Sequence, residues 1–307
     1  MSDIGILLVA HGTPANLDDI PAFLNNIRRG RPTPPAVVQA VRDRYEAIGG
    51  TSPLLTTTRA QADLLAKKCG LPCFVATRMW HPTFDEVLRE LADAGSPREL
   101  IVLSAAPHSA HVYFAALKQV ATKLEKEGVP VPALHPSPCW GDNPAYVDAW
   151  AAATKREIDR LGVRKVARAV LVPTAHSLPM HTVEAGDPYP QLVAETANAV
   201  VQRLGDASLP AMLAFQSQGM SEEPWLGPDL PTVFARAAST GAEGVILLPI
   251  GFPAEHVETL YDLDIEARLI AKEQGLWLAR VPCLDTDEGL ISALHCVVQD
   301  VRRSLPC

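Results

Sequence analysis

Gly251-Phe252-Pro253-Ala254-Glu255-His256-Val257-Glu258-Thr259-Leu260-Tyr261-Asp262-Leu263-Asp264-Ile265-Glu266 follows an apolar run at 245–250, and the junction between the two decides the fold. The run is short and wholly apolar, the pattern of a strand buried on both faces. After Pro253 the spacing becomes helical. Residues three or four apart on a helix share a face, so Glu255, Glu258, Asp262 and Glu266 are expected to form one column of carboxylates. The column starts past the carboxyl end of a strand, where open α/β sheets place their ligands. Stacked acids repel one another unless a cation, a proton or water screens them. Hard oxygen donors of this kind suit hydrated Mg2+ or Fe2+. A solvated acidic helix face is the competing explanation for such a column met alone.

The same strand-to-helix alternation extends outward along the chain. Strands are expected at 4–10, 74–77, 100–105 and 131–134, with helices near 17–28, 35–48, 52–68, 83–94, 112–127 and 144–161. The series restarts with strands at 167–172, 211–216, 245–250 and 276–281, and helices at 190–204, 231–240, 256–274 and 288–303. Such alternation means parallel sheets with crossover helices. The expected fold is therefore α/β: two similar doubly wound domains, each a four-stranded parallel sheet flanked by helices. They are assigned to residues 1–150 and 151–307, with the hinge on or beside the helix at 144–161 and the last helix able to pack back on the first half. A short repeat agrees with two halves. The first strand of each half ends in Ala-His-x-x-Pro, as Ala10-His11-Gly12-Thr13-Pro14 and Ala175-His176-Ser177-Leu178-Pro179. Halves facing each other would bring these strand ends to one cleft.

Bulk properties narrow the function. Two domains fit a chain of 307 residues. The formal net charge is −8, and only Arg28-Arg29-Gly30-Arg31 concentrates cations, which argues against nucleic acid as a partner. No apolar run reaches the ~18–20 residues that span a bilayer, and Met1-Ser2-Asp3-Ile4 lacks the basic start of a secretory signal. The cysteines at 69, 73, 139, 283, 296 and 307 form no Cys-x-x-Cys pair, so a reducing cytoplasm is the expected location. Cys69 and Cys73 resemble half of a metal site without a second half. No Gly-x-Ser-x-Gly elbow, dinucleotide-type Gly-x-Gly-x-x-Gly or P-loop is present.

His176 stands where a strand should end, and imidazole exchanges protons near neutral pH. Facing Glu258, it would place a proton acceptor beside a carboxylate; the alternative is a structural, hydrogen-bonding histidine. A second signal is Ile27-Arg28-Arg29-Gly30-Arg31, followed by Arg42-Asp43-Arg44-Tyr45-Glu46-Ala47-Ile48-Gly49-Gly50-Thr51-Ser52-Pro53. Arginine suits bidentate capture of carboxylates. With Tyr45, these side chains would fit a ligand bearing several carboxylates on a flat apolar body, although a solvated surface gives the same pattern. The Pro-rich stretches at 186–190 and 222–229 read as structured loops of the kind that carry ligand contacts.

Seven stretches in order then resemble the ferrochelatases, enzymes that insert Fe2+ into a porphyrin. They are Leu8 to Pro14, Arg44 to Leu54, Ala175-His176-Ser177-Leu178-Pro179, Gly186-Asp187-Pro188-Tyr189-Pro190, Phe215-Gln216-Ser217-Gln218-Gly219, Pro224-Trp225-Leu226-Gly227-Pro228-Asp229, and Gly251 to Glu266. The length and the Ile27–Arg31 segment are similar to the short bacterial branch that metallates coproporphyrin III. The resemblance implies that His176 accepts pyrrole protons and that Glu258 is its metal and proton partner across the porphyrin. It implies that Asp262 and Glu266 form an outer divalent-ion site, for Mg2+ or hydrated Fe2+, or a proton relay. His11, Arg28, Arg44, Tyr45 and Ser52 match porphyrin-lining positions. The coproporphyrin branch usually has tyrosine at His11, a residue able to ligate product iron; histidine can do so too. Thr174 replaces the usual serine before Ala-His. No cofactor is required and no iron–sulfur cluster is expected, because Cys283, Cys296 and Cys307 are spaced too widely. The implied partners are porphyrin, Fe2+ and a haem-accepting protein, with the enzyme a monomer. Protoporphyrin IX as substrate, a cobalt or sirohydrochlorin chelatase, and a non-catalytic haem carrier are the alternatives.

Overall fold

The computed structural model describes residues 3–207, 209–219 and 223–305; Glu222 of the 222–229 loop and Cys307 lie outside the described residues. The chain forms two compact units, Met1–Trp140 with Asp285–Cys307, and Gly141–Leu284. The division falls before helix Pro144–Leu161 rather than at residue 150, because that helix packs on Tyr189–Leu204 of the second unit. The C-terminal helix Glu288–Ser304 belongs to the first unit, against helix Leu54–Cys69.

In the first unit the strands are β1 (Ile4–Ala10), β2 (Cys73–Thr77), β3 (Glu99–Ser104) and β4 (Ala133–Pro136), all parallel, in the order β2-β1-β3-β4. The second unit repeats this with β5 (Ala169–His176), β6 (Ala214–Gln216), β7 (Gly244–Leu248) and β8 (Trp277–Arg280), in the order β6-β5-β7-β8. Helices cover both faces of such sheets, so inner strands are apolar throughout rather than alternating. Ile6, Leu7, Leu8 and Val9 of β1 are 0% exposed, and burying each side chain contributes ~1.5–3 kcal/mol. On one face of the second sheet, Val170, Val172, Val245 and Leu247 pack under Val233, Phe234, Leu263 and Ala267.

Helix starts follow local chemistry. Pro35, Pro144, Pro190 and Pro231 occupy first-turn positions, where a missing N–H costs nothing. Asn143 and Asp229 accept the first backbone N–H groups. Short helices at Val163–Val166 and Met180–Glu184 were not expected, and β5 runs on to His176 rather than ending at 172. The helix read at 256–274 is a π-helix over Glu258–Glu266 that tightens to an α-helix at Ala267–Glu273. Its i→i+5 bonding is an arrangement often found at functional sites.

Candidate active site

In each unit the order of strands reverses between the first and third, and the chain leaves their carboxyl ends in opposite directions. That switch point is where doubly wound sheets open a crevice. In the second unit it lies between β5, which ends at His176, and β7. The loop after β7 turns back against β5: the Gly251 N–H donates to the Thr174 carbonyl at 3.1 Å. A Cβ at Gly251 would lie 2.8 Å from Ala175 Cβ and 2.9 Å from its Cα, so only glycine permits the approach. The Tyr146 hydroxyl donates to the Ile250 carbonyl at 2.7 Å and fixes the loop from below.

This close approach brings the start of the π-helix to His176. His176 Nδ1 and Glu258 Oε2 are 2.9 Å apart. The histidine backbone is held on both sides. The Tyr189 hydroxyl donates to the His176 carbonyl at 3.0 Å, and the Ser177 N–H donates to the Gln216 carbonyl at 2.7 Å. The two reactive side chains are 37% and 29% exposed, so solvent reaches the pair. His256, in the Pro- and His-containing turn after the third strand of this half, places Nε2 3.6 Å from the same Glu258 oxygen and packs at a tilt on Phe252 with ring centroids 4.7 Å apart. Its position in a turn after a strand, two residues before Glu258, is what marks it in the sequence; no site role was assigned to it there.

Electrostatics couple these groups. Burial disfavours the imidazolium of His176, but the Glu258 charge and hydrogen bond, with the nearby Asp262, outweigh it and hold its pKa above the usual histidine value. Burial pushes the Glu258 carboxyl up, and the two imidazoles outweigh that, leaving it well below the usual carboxylate range. The contact therefore favours the imidazolium and the carboxylate together, and the neutral imidazole gains as pH rises.

The expected four-acid column is only partly formed. Glu258, Asp262 and Glu266 lie on the π-helix; Asp262 is buried and accepts the Ser217 hydroxyl, and Glu266 is exposed. Glu255 lies outside the helix and is taken up by Arg280 at 2.8 Å, the Thr259 hydroxyl at 2.6 Å and the Cys283 N–H at 3.0 Å. Burial raises the Glu255 pKa, and Arg280 and the hydrogen bonds reverse that to a net lowering. Among the described residues, no group of three or more His, Cys, Asp or Glu converges as a metal site. Glu258 was expected opposite His176 across a bound porphyrin. The direct hydrogen bond instead puts the two side by side, because their elements leave adjacent strands.

The remaining candidates lie in the first unit. His11 is exposed at the end of β1, with its ring edge-on to Phe23 at 6.3 Å. Tyr45 is buried, its hydroxyl 2.9 Å from that of Thr13, so it braces the β1 exit loop. Arg28 Nε donates to the Pro32 carbonyl at 3.2 Å, and Ser52 Oγ accepts from the Leu54 N–H at 3.3 Å. Arg44 is partly buried on helix Pro35–Ala47. Burial pushes the Cys69 thiol up to about 11 and Cys73 up to about 12, the reverse of what thiolate ligation needs.

The ferrochelatase family model matches residues 3–301. A protein named ferrochelatase from Deinococcus radiodurans is 32% identical over 305 residues, covering 96% of this chain and 95% of its own. A coproporphyrin III ferrochelatase from Geobacillus thermodenitrificans is 32% identical over 303 residues, covering 96% and 95%. A ferrochelatase from Thermus thermophilus is 34% identical over 326 residues, covering 96% and 98%. Among solved structures, SirB from Bacillus subtilis with Fe3+ matches with a TM-score of 0.58 at 13% identity, covering 98% of this chain and 96% of that one. CbiX, described as the terminal enzyme for sirohaem biosynthesis in denitrifying bacteria, matches with a TM-score of 0.54 at 16% identity, covering 98% and 100%. Both likenesses concern the fold alone, and it is that of a class II chelatase.

Proposed function

The chain belongs to the ferrochelatase family, enzymes that insert iron into a porphyrin, and from that premise we propose that coproporphyrin III is its substrate, with His176 as proton acceptor and Glu258 as its partner. The observation that carries the site assignment is the 2.9 Å contact between these side chains at the strand switch point. Two pyrrole nitrogens carry protons that must leave before Fe2+ can bind. Neutral His176 takes a pyrrole proton, and Glu258 stabilises the imidazolium it becomes. Binding energy from the ring and its carboxylates offsets macrocycle distortion of roughly 1–5 kcal/mol. Arg28 and Arg44 pair with those carboxylates, Ser52 hydrogen-bonds near them, and Tyr45 acts through Thr13 on the loop that carries His11. His11 is a ligand for product iron. Asp262 and Glu266 carry protons or the hydrated metal outward from Glu258.

The choice of coproporphyrin III is supported by the names of several relatives and by the arginines at 28, 29 and 31, which suit a substrate with four propionates better than one with two. Among the described residues no helix is long and apolar enough to cross a membrane, which is compatible with a cytoplasmic enzyme. Anaerobic Fe2+ insertion, followed by absorbance with coproporphyrin III, protoporphyrin IX and sirohydrochlorin in turn, tests the reading. Coproporphyrin III should turn over fastest. His176→Ala should abolish insertion while porphyrin binding persists. Wild-type activity in that variant removes the proposed role, and binding of haem without insertion by the native chain makes it a carrier.

A further inference from the structure

Next to His176 in the register of its sheet lies a polar layer that the mechanism above does not use. His176 of β5 and Gln216 of β6 are register partners, as are Thr174 and Ala214. Side chains two apart on a strand share a face, and register partners on parallel strands do too. Thr174, His176 and Gln216 therefore project from one face of the sheet. It is the face that Val170, Val172 and Ala214 present to Leu263 of the π-helix. Thr174 is 0% exposed and Gln216 3% exposed. The Thr174 hydroxyl and both polar atoms of the Gln216 carboxamide are buried without a hydrogen-bond partner among the described residues. Such groups are rare in folded proteins and are normally met by an internal water or a ligand. The next residue, Ser217, donates its hydroxyl to Asp262 and sits at φ 60°, a left-handed conformation uncommon for serine. The layer thus adjoins both pairs along the chain: His176 stands two residues beyond Thr174 on the same face and in register with Gln216, and Ser217, which holds Asp262, follows Gln216.

We infer that Thr174 and Gln216 hold an internal water that links the His176–Glu258 pair to the Ser217–Asp262 pair. Three hydrogen-bonding atoms from two strands are what a buried water requires. The hydroxyl and the carboxamide can each donate or accept, so the water serves in either direction. A proton received on one side is matched by one given up on the other, and the water is regenerated. Thr174 and Gln216 are positioning residues, since they act through the water rather than on the substrate. The catalytic part of the inference rests on the proposed iron insertion; the water site does not.

Two measurements test it. A high-resolution crystal structure of the wild-type protein should place an ordered water within hydrogen-bond distance of Thr174 Oγ1 and the Gln216 amide; a dry site there overturns the inference. Thr174→Val and Gln216→Met keep size and remove the hydrogen-bonding atoms. Each should lower kcat at least tenfold with KM within twofold of wild type, Thr174→Ser should restore it, and neither should raise the melting temperature. Wild-type kcat in both variants with a raised melting temperature would mark the groups as unsatisfied polar atoms without a role, and would sink the proposal. If the wild-type protein inserts iron into no porphyrin, the proposed function fails, and the crystallographic water alone decides the site.

Discussion

Arg280 divides the acidic stretch into residues it binds and residues it does not, and removing it has a calculable cost. Its guanidinium holds Asp264 through two bonds at 2.8 and 2.6 Å and Glu255 through one at 2.8 Å. The arginine side chain is 10% exposed, Glu255 14% and Asp264 28%. Arg280→Met keeps the aliphatic stem and takes the guanidinium away from two part-buried carboxylates. Breaking a buried pair from one side costs ~3–5 kcal/mol. Asp264 is exposed enough to rehydrate in part, which points to the lower end, about 3 kcal/mol. For a unit of this size, ~2–4 °C are lost per kcal/mol, so its melting temperature should fall by about 6–12 °C. Urea and thermal denaturation followed by circular dichroism measure both quantities. Arg280→Met with Glu255→Gln and Asp264→Asn should recover much of the loss, because the buried charges are gone. Arg280→Lys should fall between, since an ammonium cannot reproduce the fork. An Arg280→Met variant within about 0.5 kcal/mol of wild type, the scale of a surface change, would refute the reasoning.

Glu258→Gln removes the charge that raises the His176 pKa, so burial should dominate and the rising limb of the pH–rate profile should move to lower pH; an unmoved limb rejects the coupling. The same pair makes stability depend on pH. The His176 part is fully present below its ordinary value of 6.5 and is lost as pH rises through its raised one, while the Glu258 part is present above 4.5 and is lost as pH falls through its lowered one. The Glu258→Gln penalty should therefore be greatest between those two values in denaturation at stepped pH. Tyr189→Phe removes the hydroxyl from the His176 carbonyl. It should cost about 1 kcal/mol in urea unfolding and lower kcat more than it raises KM; an effect on KM alone would assign Tyr189 to substrate binding. Gly251→Ala forces a methyl against Ala175. A loss of about 1–3 kcal/mol is expected in the same unfolding assay, with lower activity as Glu258 is moved from His176, and full stability would show that the loop can retreat without strain.

The double four-stranded architecture was legible because apolar runs and helical spacing are local properties, and both sheets follow them strand for strand. The meeting of His176 and Glu258 was legible for a related reason. His176 and Glu258 each stand just past a strand end, and a doubly wound sheet brings the ends of its first and third strands together although 82 positions separate the two residues. Their side-by-side contact was not legible. It depends on how closely the loop after β7 lies against β5, and that is set by the absent side chain at Gly251. The π-helix was hidden because acids four apart share a face in both helical forms well enough that spacing does not distinguish them.

Glu255 shows most clearly where sequence spacing stops being informative. By position it belongs with Glu258, Asp262 and Glu266. Its partner Arg280 is 25 residues away at the end of β8, and nothing local marks the pairing. The distinction matters chemically. A carboxylate fixed to a buried arginine is tied to that charge, while Glu258 is held by His176, a side chain type that exchanges protons near neutral pH. The fold thus sorts one acidic stretch by neighbour: Arg280 takes Glu255 and Asp264, Ser217 takes Asp262, and His176 takes Glu258. Reversing one assignment should convert the others. With Arg280 gone, Glu255 and Asp264 become two further anions near the π-helix, and the added negative field should raise the His176 pKa further still. The pH–rate profile of Arg280→Met would then shift to higher pH, opposite in sign to Glu258→Gln. Equal shifts in one direction would mean that the two groups of acids are not separate.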